Sequence, residues 1–321
     1  MPEQHTTSPS STYTFLKDFT LGGASGAVAK TITAPIERVR IVLQTSRANP
    51  EIIRGEIPPF KGIMDCFVRL AREQGIKSYW NGNFTNVIRY YPTQAIALPM
   101  KDVFKKLFPK YDPKTEFGKF FLVQMVSGSL SGLVTVSLVY PLDYARTRLT
   151  ADIGKVKTFN GLTDCLVKTA KGPNGFLGLY PGFTLSMLTS ISFVPFRFLY
   201  FGFYDTLREF NPYHNDSGTK GFLSRFVIAQ TTSIASSYIS YPLDTVVKRL
   251  QMQGEKPREQ WVYKGTLDCF KKILRQEGWR SFFDGAGALV LRSVGSALVL
   301  VLYDQLQDYY KKGEKEETGN E

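Results

Sequence analysis

The sequence of 321 residues predicts an all-α membrane protein: three tandem two-helix repeats, with six transmembrane helices around a central cavity and a short helix inside each repeat. Three observations predict this class. Six stretches of spanning or near-spanning length are almost free of charge, the segments between them are densely charged, and one unit of about 100 residues recurs three times.

The spans come first. Phe120–Leu142 is 23 residues without a charge, long enough to cross a bilayer, and Phe226–Leu243 adds 18 more. Four others each carry one interior cation and no acid: Thr20–Pro35 with Lys30, Asn83–Met100 with Arg89, Phe183–Tyr204 with Arg197, and Gly285–Tyr303 with Arg292. Their polar residues are mostly Ser, Thr, Gly and Gln, types that pack helices together in membranes. A large soluble helical protein is the alternative, but its helices would show a polar face at every turn.

The repeats come next. Pro35, Pro141 and Pro242 open the patterns PIERVR, PLDYAR and PLDTVV. FKGIMDC, FNGLTDC and YKGTLDC follow, placing Cys66, Cys165 and Cys269 at one repeat position. Gly75, Gly175 and Gly278 each precede a second glycine, Gly82, Gly182 and Gly285, by seven residues. Trp80, Tyr180 and Phe283 lie two before those second glycines, and Asp102–Lys105, Asp205–Arg208 and Asp304–Gln307 close the repeats. The chain divides into a flexible start (1–14), repeats at 15–112, 113–213 and 214–310, and a polar tail (311–321). Each proline kinks an apolar helix, since it lacks a donor and its ring crowds the preceding turn. Taken singly, each can be a packing kink alone. An acid two residues later shifts that balance, because charges at the membrane edge are costly unless paired. Three symmetric acid–base sets can pair across the axis as a breakable plug.

Composition narrows the function. With 40 Lys+Arg against 28 Asp+Glu the formal charge is +12 and the pI about 9.4, which favours an anionic partner. Nucleic acid is disfavoured, because several cations lie inside apolar spans. Three Cys and two His build no disulfide framework and leave little for a metal. No phosphate loop of the GxxxxGK type and no His/Cys/acid cluster supports an enzyme. No secretory signal or Arg-rich presequence is read at the start, and an even number of spans puts both ends on one side. The cysteines read as small core residues of the short helices, with redox sensing as the sharper alternative.

These residues resemble the mitochondrial carrier family: three Px[DE]xx[KR]-type signatures, each followed by aromatic-x-Gly and Gly…aromatic-x-Gly motifs, over essentially the whole chain. Within it, KTITAPIERVRIVLQ, EQGIKSYWNGNFTNVIRYYPTQA, YPLDYARTRL, YFGFYDT and ALVLVLYD resemble the ADP/ATP-carrier branch. The resemblance implies an inner-membrane antiporter exchanging ADP for ATP by alternating access, with both termini facing the intermembrane space and no resident cofactor. It implies that Lys30, Arg89 and Arg292 bind nucleotide phosphates. The residues agree: Arg89 and Arg292 each lie seven after their glycine, and Lys30 lies five before Pro35, about 7.5 Å along a helix. Snorkelling or pairing with carbonyls is the alternative for each.

The resemblance also implies an arginine site at Arg197 and a tyrosine ladder. Phe196, Tyr200 and Tyr204 recur every four residues, a stripe that can stack an adenine or simply pack. At the cavity floor it pairs Glu37 with Arg146 and Asp244 with Arg40, leaves Asp143 to the third repeat's base, and braces the set with Gln44 and Gln251. At the outer mouth it assigns a second network to Asp102, Lys105, Asp205, Arg208 and Asp304. It implies cardiolipin at the glycine-led helix starts Gly62, Gly82, Gly161, Gly182, Gly265 and Gly285, where free amides face phosphate.

The sequence also departs from that branch. The hallmark RRRMMM is VKRLQM here, at Val247–Met252. Val247 replaces the third floor base, so Asp143 loses its partner unless Lys248 reaches over, and two full pairs per gate are expected. Gln307 replaces the third outer base. Ala97 stands where the branch has a cavity Asn, and Ser192-Phe193 aligns with the Gly-Ile of its adenine pocket. Gly182 to Asp205 spans 23 steps, against 20 and 19 in the other repeats, so a bulge near Pro195 is expected. Two other functions stay open: a carrier-derived structural or regulatory subunit of a larger inner-membrane complex, and a carrier for another nucleotide-like anion.

Overall fold

The structure, a computed structural model, describes residues 9–154, 157–190, 206, 207, 209–213 and 219–293. Its long helices are α1 (Pro9–Thr45), α4 (Asn83–Lys106), α5 (Phe117–Ala151) and α8 (Thr219–Gln251). Short helices are α2 (Pro50–Ile53), α3 (Ile63–Gln74), α6 (Leu162–Lys171) and α9 (Thr266–Lys272). Two more helices, α7 and α10, are described over 183–190 and 287–293. The order within a repeat is long helix, short helix, tight turn, second helix, and the second helix is described at full length in repeat one.

α1, α5 and α8 contain 37, 35 and 33 residues and run through Pro35, Pro141 and Pro242. At 1.5 Å per residue they are about 50–55 Å long, well beyond the hydrocarbon thickness of a bilayer. By length and hydropathy alone, α5 is the one described helix that qualifies as a span, with mean hydropathy 1.7. α8 falls short because its middle is rich in Ser and Thr. Those hydroxyls donate to carbonyls one turn back: Thr232 to Ile228 at 2.8 Å, Ser236 to Thr232 at 2.9 Å, Ser240 to Ser236 at 3.1 Å. A hydroxyl satisfied inside its own helix carries little desolvation cost. Ser131 of α5 instead donates to the Ala97 carbonyl of α4 at 2.7 Å, tying two long helices. Leu122, Leu138, Leu188 and Val227 are more than half exposed, leaving apolar faces for lipid.

The packed core lies at one end of the bundle, where the short helices meet the long ones. It forms one main cluster per repeat, each around a cysteine. Cys66 sits with Val39, Val42 and Leu70, Cys165 with Tyr144, Leu149 and Phe159, and Cys269 with Ile41, Val246, Val247 and Ile273. All three thiols are at 0 % exposure, and burial pushes each up to about 12. The three short helices start alike. Asp65, Asp164 and Asp268 accept the backbone N–H of Lys61, Asn160 and Lys264 at 2.9, 2.8 and 2.9 Å, placing a carboxylate at each positive helix end.

The repeats grip one another in a cycle. A Cβ on Gly82 would crowd the Arg146 carbonyl and Thr150 of α5. One on Gly182 would meet Leu250 and the Val247 carbonyl of α8, and one on Gly285 the Arg40 carbonyl and Leu43 of α1. Gly285, at φ +80°, also occupies the left-handed region that side chains disfavour. Within repeats two and three, the tyrosine before the proline closes the turn: Tyr140 donates to the Pro181 carbonyl at 2.6 Å, and Tyr241 to that of Asp284 at 2.9 Å.

Candidate functional site

Prolines at equal positions in α1, α5 and α8 put the acid and base that follow them at one level. Three acid–base pairs form there. Arg146 of α5 binds Glu37 of α1 through a direct guanidinium–carboxylate contact. Arg40 of α1 faces Asp244 of α8 at 3.8 Å, and Lys248 of α8 reaches Asp143 of α5 at 3.1 Å. Each pair joins two repeats, and together they close a triangle. The expectation of two full pairs is corrected: Lys248, one residue past the signature position, supplies the third base on its four-carbon arm.

The glutamines attach as the resemblance implied. Gln44 donates to Asp244 at 3.1 Å and to Thr245 at 3.0 Å, and Gln251 donates to Asp143 at 3.3 Å. The pairs are unequal. Glu37 also accepts from Asn86 at 3.3 Å, whereas the Asp244 side chain is 37 % exposed on the longest contact.

Lys30 and Arg89 are held against this floor. Lys30 donates to the Asn86 carbonyl at 3.3 Å and lies 4.3 Å over the Tyr90 ring. Arg89 approaches Asp143 at 3.5 Å, sharing that acid with Lys248. Arg292 lies within electrostatic reach of Arg40, Glu37, Arg146 and Asp244. The Nε atoms of Arg89 and Arg292 are buried and find no hydrogen-bond partner among the described residues. Among the described residues, six cations therefore face three carboxylates at this level. Three positive charges are left uncompensated in a poorly hydrated place, an arrangement that favours a polyanion with several acceptor oxygens.

A second tier lies below the floor. Arg249, fully buried, donates to both Glu277 oxygens at 2.6 and 2.7 Å, and Arg47 reaches Glu277 and Asp284 at 3.6 and 3.3 Å. Arg148 pairs with Glu255 of the third repeat. Arg38 donates to Gln74 at 2.6 Å and to the Asp152 carbonyl at 2.8 Å. Sequence reasoning passed over this tier. Its signal was present: Arg148 and Arg249 both lie seven residues after their prolines.

The other expected residues are distributed as follows. Asp102 and Lys105 are exposed and make no ion pair among the described residues. Asp205, Arg208 and Asp304, the rest of the outer set, lie outside the described residues. So do Ser192, Phe193, Arg197, Tyr200 and Tyr204, and with them the expected bulge. Gly62, Gly161 and Gly265 cap the starts of α3, α6 and α9. Gly82 and Gly161 line one cleft of about 150 Å³ between repeats one and two, with Asn81, Asn160 and Lys157.

Three symmetry-related helix pairs, a floor of inter-repeat ion pairs and converging cations beside it define a membrane carrier of the three-repeat type. The family comparison agrees. The model described as mitochondrial carrier protein matches residues 11–112, 118–215 and 218–314, and the chain belongs to that family. Curated relatives cover nearly all of it. An ADP,ATP carrier protein of Parachlorella kessleri is 46% identical over 297 residues, covering 92% of this chain and 85% of the relative. ADP/ATP translocase 2 of Tachyglossus aculeatus aculeatus is 45% identical over 299 residues, 92% of this chain and 97% of the relative. ADP/ATP translocase 4 of Bos taurus is 47% identical over 299 residues, 92% and 89%.

Proposed function

We propose that the protein is an antiporter of the mitochondrial inner membrane that exchanges ADP for ATP by alternating access. The observation that carries this reading is the shared acid: Arg89, a proposed phosphate ligand, contacts Asp143, one of the three floor carboxylates. A nucleotide phosphate that takes Arg89 leaves Asp143 with one counter-charge fewer. Binding and floor opening then draw on the same cation. Lys30 and Arg292 supply the remaining charge, and the phosphates offset the loss of the floor pairs as they part. A substrate that bound the open and occluded states equally would move nothing, so its contacts must be strongest in between. The names of the relatives support adenine nucleotides as the substrates.

Finer points belong to the same reading. The chain crosses the membrane six times, with both termini in the intermembrane space and the short helices in the matrix. Cardiolipin binds at the glycine-led helix starts, and a cleft lined by Gly82, Gly161 and Lys157 supports this reading. Tyr200, Tyr204, Ser192, Phe193 and Arg197 are assigned to the substrate site in the same reading, and all five lie outside the described residues. Asp102, Lys105, Asp205, Arg208 and Asp304 form the outer gate.

The test is uptake of labelled ADP into cardiolipin-containing liposomes preloaded with ATP, using purified protein. Saturable exchange that is lost in Arg89→Ala and in Arg292→Ala, both still folded, is the expected result. Near-parental exchange by both variants would remove the proposed site. No uptake of any nucleotide by folded protein, together with stable co-purification in a large complex, would replace transport by the structural-subunit reading.

A further inference from the structure

The floor of the third repeat does not follow the pattern of the other two. Arg40 and Arg146 each lie five residues after their prolines, and the residue at that offset after Pro242 is Val247. Val247 is 5 % exposed and packs with Ile41, Val246 and Leu250 in the apolar cluster of its repeat. It contributes nothing polar to the floor. Its neighbour Lys248 sits about 100° further round the helix, so its Cα does not face Asp143 as a residue at the signature position would.

We infer that Lys248 has taken over as the working base of the third floor pair, a positioning residue for alternating access displaced by one residue from the repeat pattern. Four features of the geometry carry this. The Lys248 side chain is 6 % exposed, too buried for an ammonium without a counter-charge. Its Nζ donates to Asp143 at 3.1 Å, to Thr147 at 3.0 Å and to Gln251 at 3.3 Å, which uses all three of its donors. Gln251 in turn donates to the same carboxylate oxygen at 3.3 Å, so acid, base and brace form one closed set. Thr147, the residue after Arg146, offers a hydroxyl where the first repeat has Ile41, and that hydroxyl is the acceptor the shifted lysine needs.

The shift changes the character of the pair. Arg40 and Arg146 are planar forks that engage a carboxylate in few orientations, whereas an ammonium is a point charge on a flexible stem. The third pair can follow Asp143 through a wider movement before it breaks. Asp143 is also the acid shared with Arg89. The floor contact next to the proposed phosphate ligand therefore rests on a flexible side chain rather than on a planar fork.

The inference rests on the exchange reading only for its transport measurement. The deciding experiment is a double-mutant cycle on the purified full chain: Asp143→Asn, Lys248→Gln and the pair together, with Asp143→Asn and Val247→Ala as the control cycle. Two quantities are read for each protein, the unfolding midpoint and the rate of ADP/ATP exchange. Lys248→Gln is expected to lower the midpoint and to slow exchange about tenfold, and the double variant to fall no further than the worse single, as coupled partners do. The Val247 cycle is expected to be additive. Additive losses in the Lys248 cycle, coupling between Asp143 and Val247 in its place, or a Lys248→Gln protein with parental midpoint and rate would each overturn the assignment. If the parental chain exchanges no nucleotide, the transport reading falls, and the midpoint cycle still decides whether Lys248 or Val247 is the partner of Asp143.

Discussion

Removal of Arg249 tests whether the tier beneath the floor holds the repeats together. The guanidinium has 0 % exposure and makes two short bonds to Glu277, with weaker ones to the Gln44 and Ser281 carbonyls at 3.4 Å each. In Arg249→Ala the Glu277 side chain, 14 % exposed, keeps Arg47 at 3.6 Å as its one cation among the described residues, and Arg47 is itself half in solvent. Breaking one side of a buried pair costs about 3–5 kcal/mol. At roughly 2 °C per kcal/mol for a chain of this size, the unfolding midpoint should fall by about 6–10 °C. The protein carries its own reporter, because Cys66, Cys165 and Cys269 are fully buried and become reactive only on unfolding. A thiol-reactive fluorophore at neutral pH reads the midpoint directly. Arg249→Met with Glu277→Leu should recover most of the loss, since an apolar replacement leaves no stranded charge. Arg54→Ala, at an exposed pair with Glu56, should leave the midpoint in place. A fall of under about 2 °C in Arg249→Ala, or thiol labelling of the folded parent, would refute the reasoning.

Further outcomes follow from other sites. The thiols are held at about 12 in the folded chain against 9.0 when free, so the unfolded state ionises first as pH rises. Stability is complete below about pH 9 and declines between 9 and 12; a midpoint followed by tryptophan fluorescence should fall over that window, and a flat profile would contradict buried thiols. Gly285→Ala should lower both midpoint and exchange, because its Cβ would come 2.8 Å from the Arg40 carbonyl at φ +80°, adding roughly 1–2 kcal/mol of backbone strain to the clash. Gly118→Ala, whose Cβ meets nothing within 4 Å, is the matched control and should be neutral. Gln44→Ala should slow exchange more than it lowers the midpoint, since Gln44 braces Asp244 on the loosest floor pair; equal effects would make it a packing residue only.

The three-repeat plan, the floor acids and two of their bases were legible because each is a residue type at a fixed offset from a proline. Glu37 with Arg146 and Arg40 with Asp244 needed nothing more than those offsets and the family resemblance. Lys248 was legible only as a condition. Whether its arm reaches Asp143 depends on Thr147 and Gln251 lying along the way, and no periodicity encodes that. The lower tier escaped for a related reason: Arg148 and Arg249 share an offset, but their partners do not. Glu277 precedes Gly278, whereas Asn174 and Gln74 stand at the matching positions, and Arg148 turns to Glu255 in the next repeat. Among the described helices, hydropathy alone identified only α5 as a span. In α8 the hydroxyls that lower the index are already bonded to their own helix.

The cyclic grip of the glycine turns has a consequence for how the chain could be built. Gly82 seats on α5, Gly182 on α8 and Gly285 on α1, so the seam between the third and first repeats uses the same contact as the two seams spanned by peptide. Covalent linkage is then a convenience of synthesis rather than the source of the ring. A chain severed in the exposed 107–116 connection and produced as two pieces retains every mating surface and should reassemble into a working whole. The repeats could equally be encoded in rotated order.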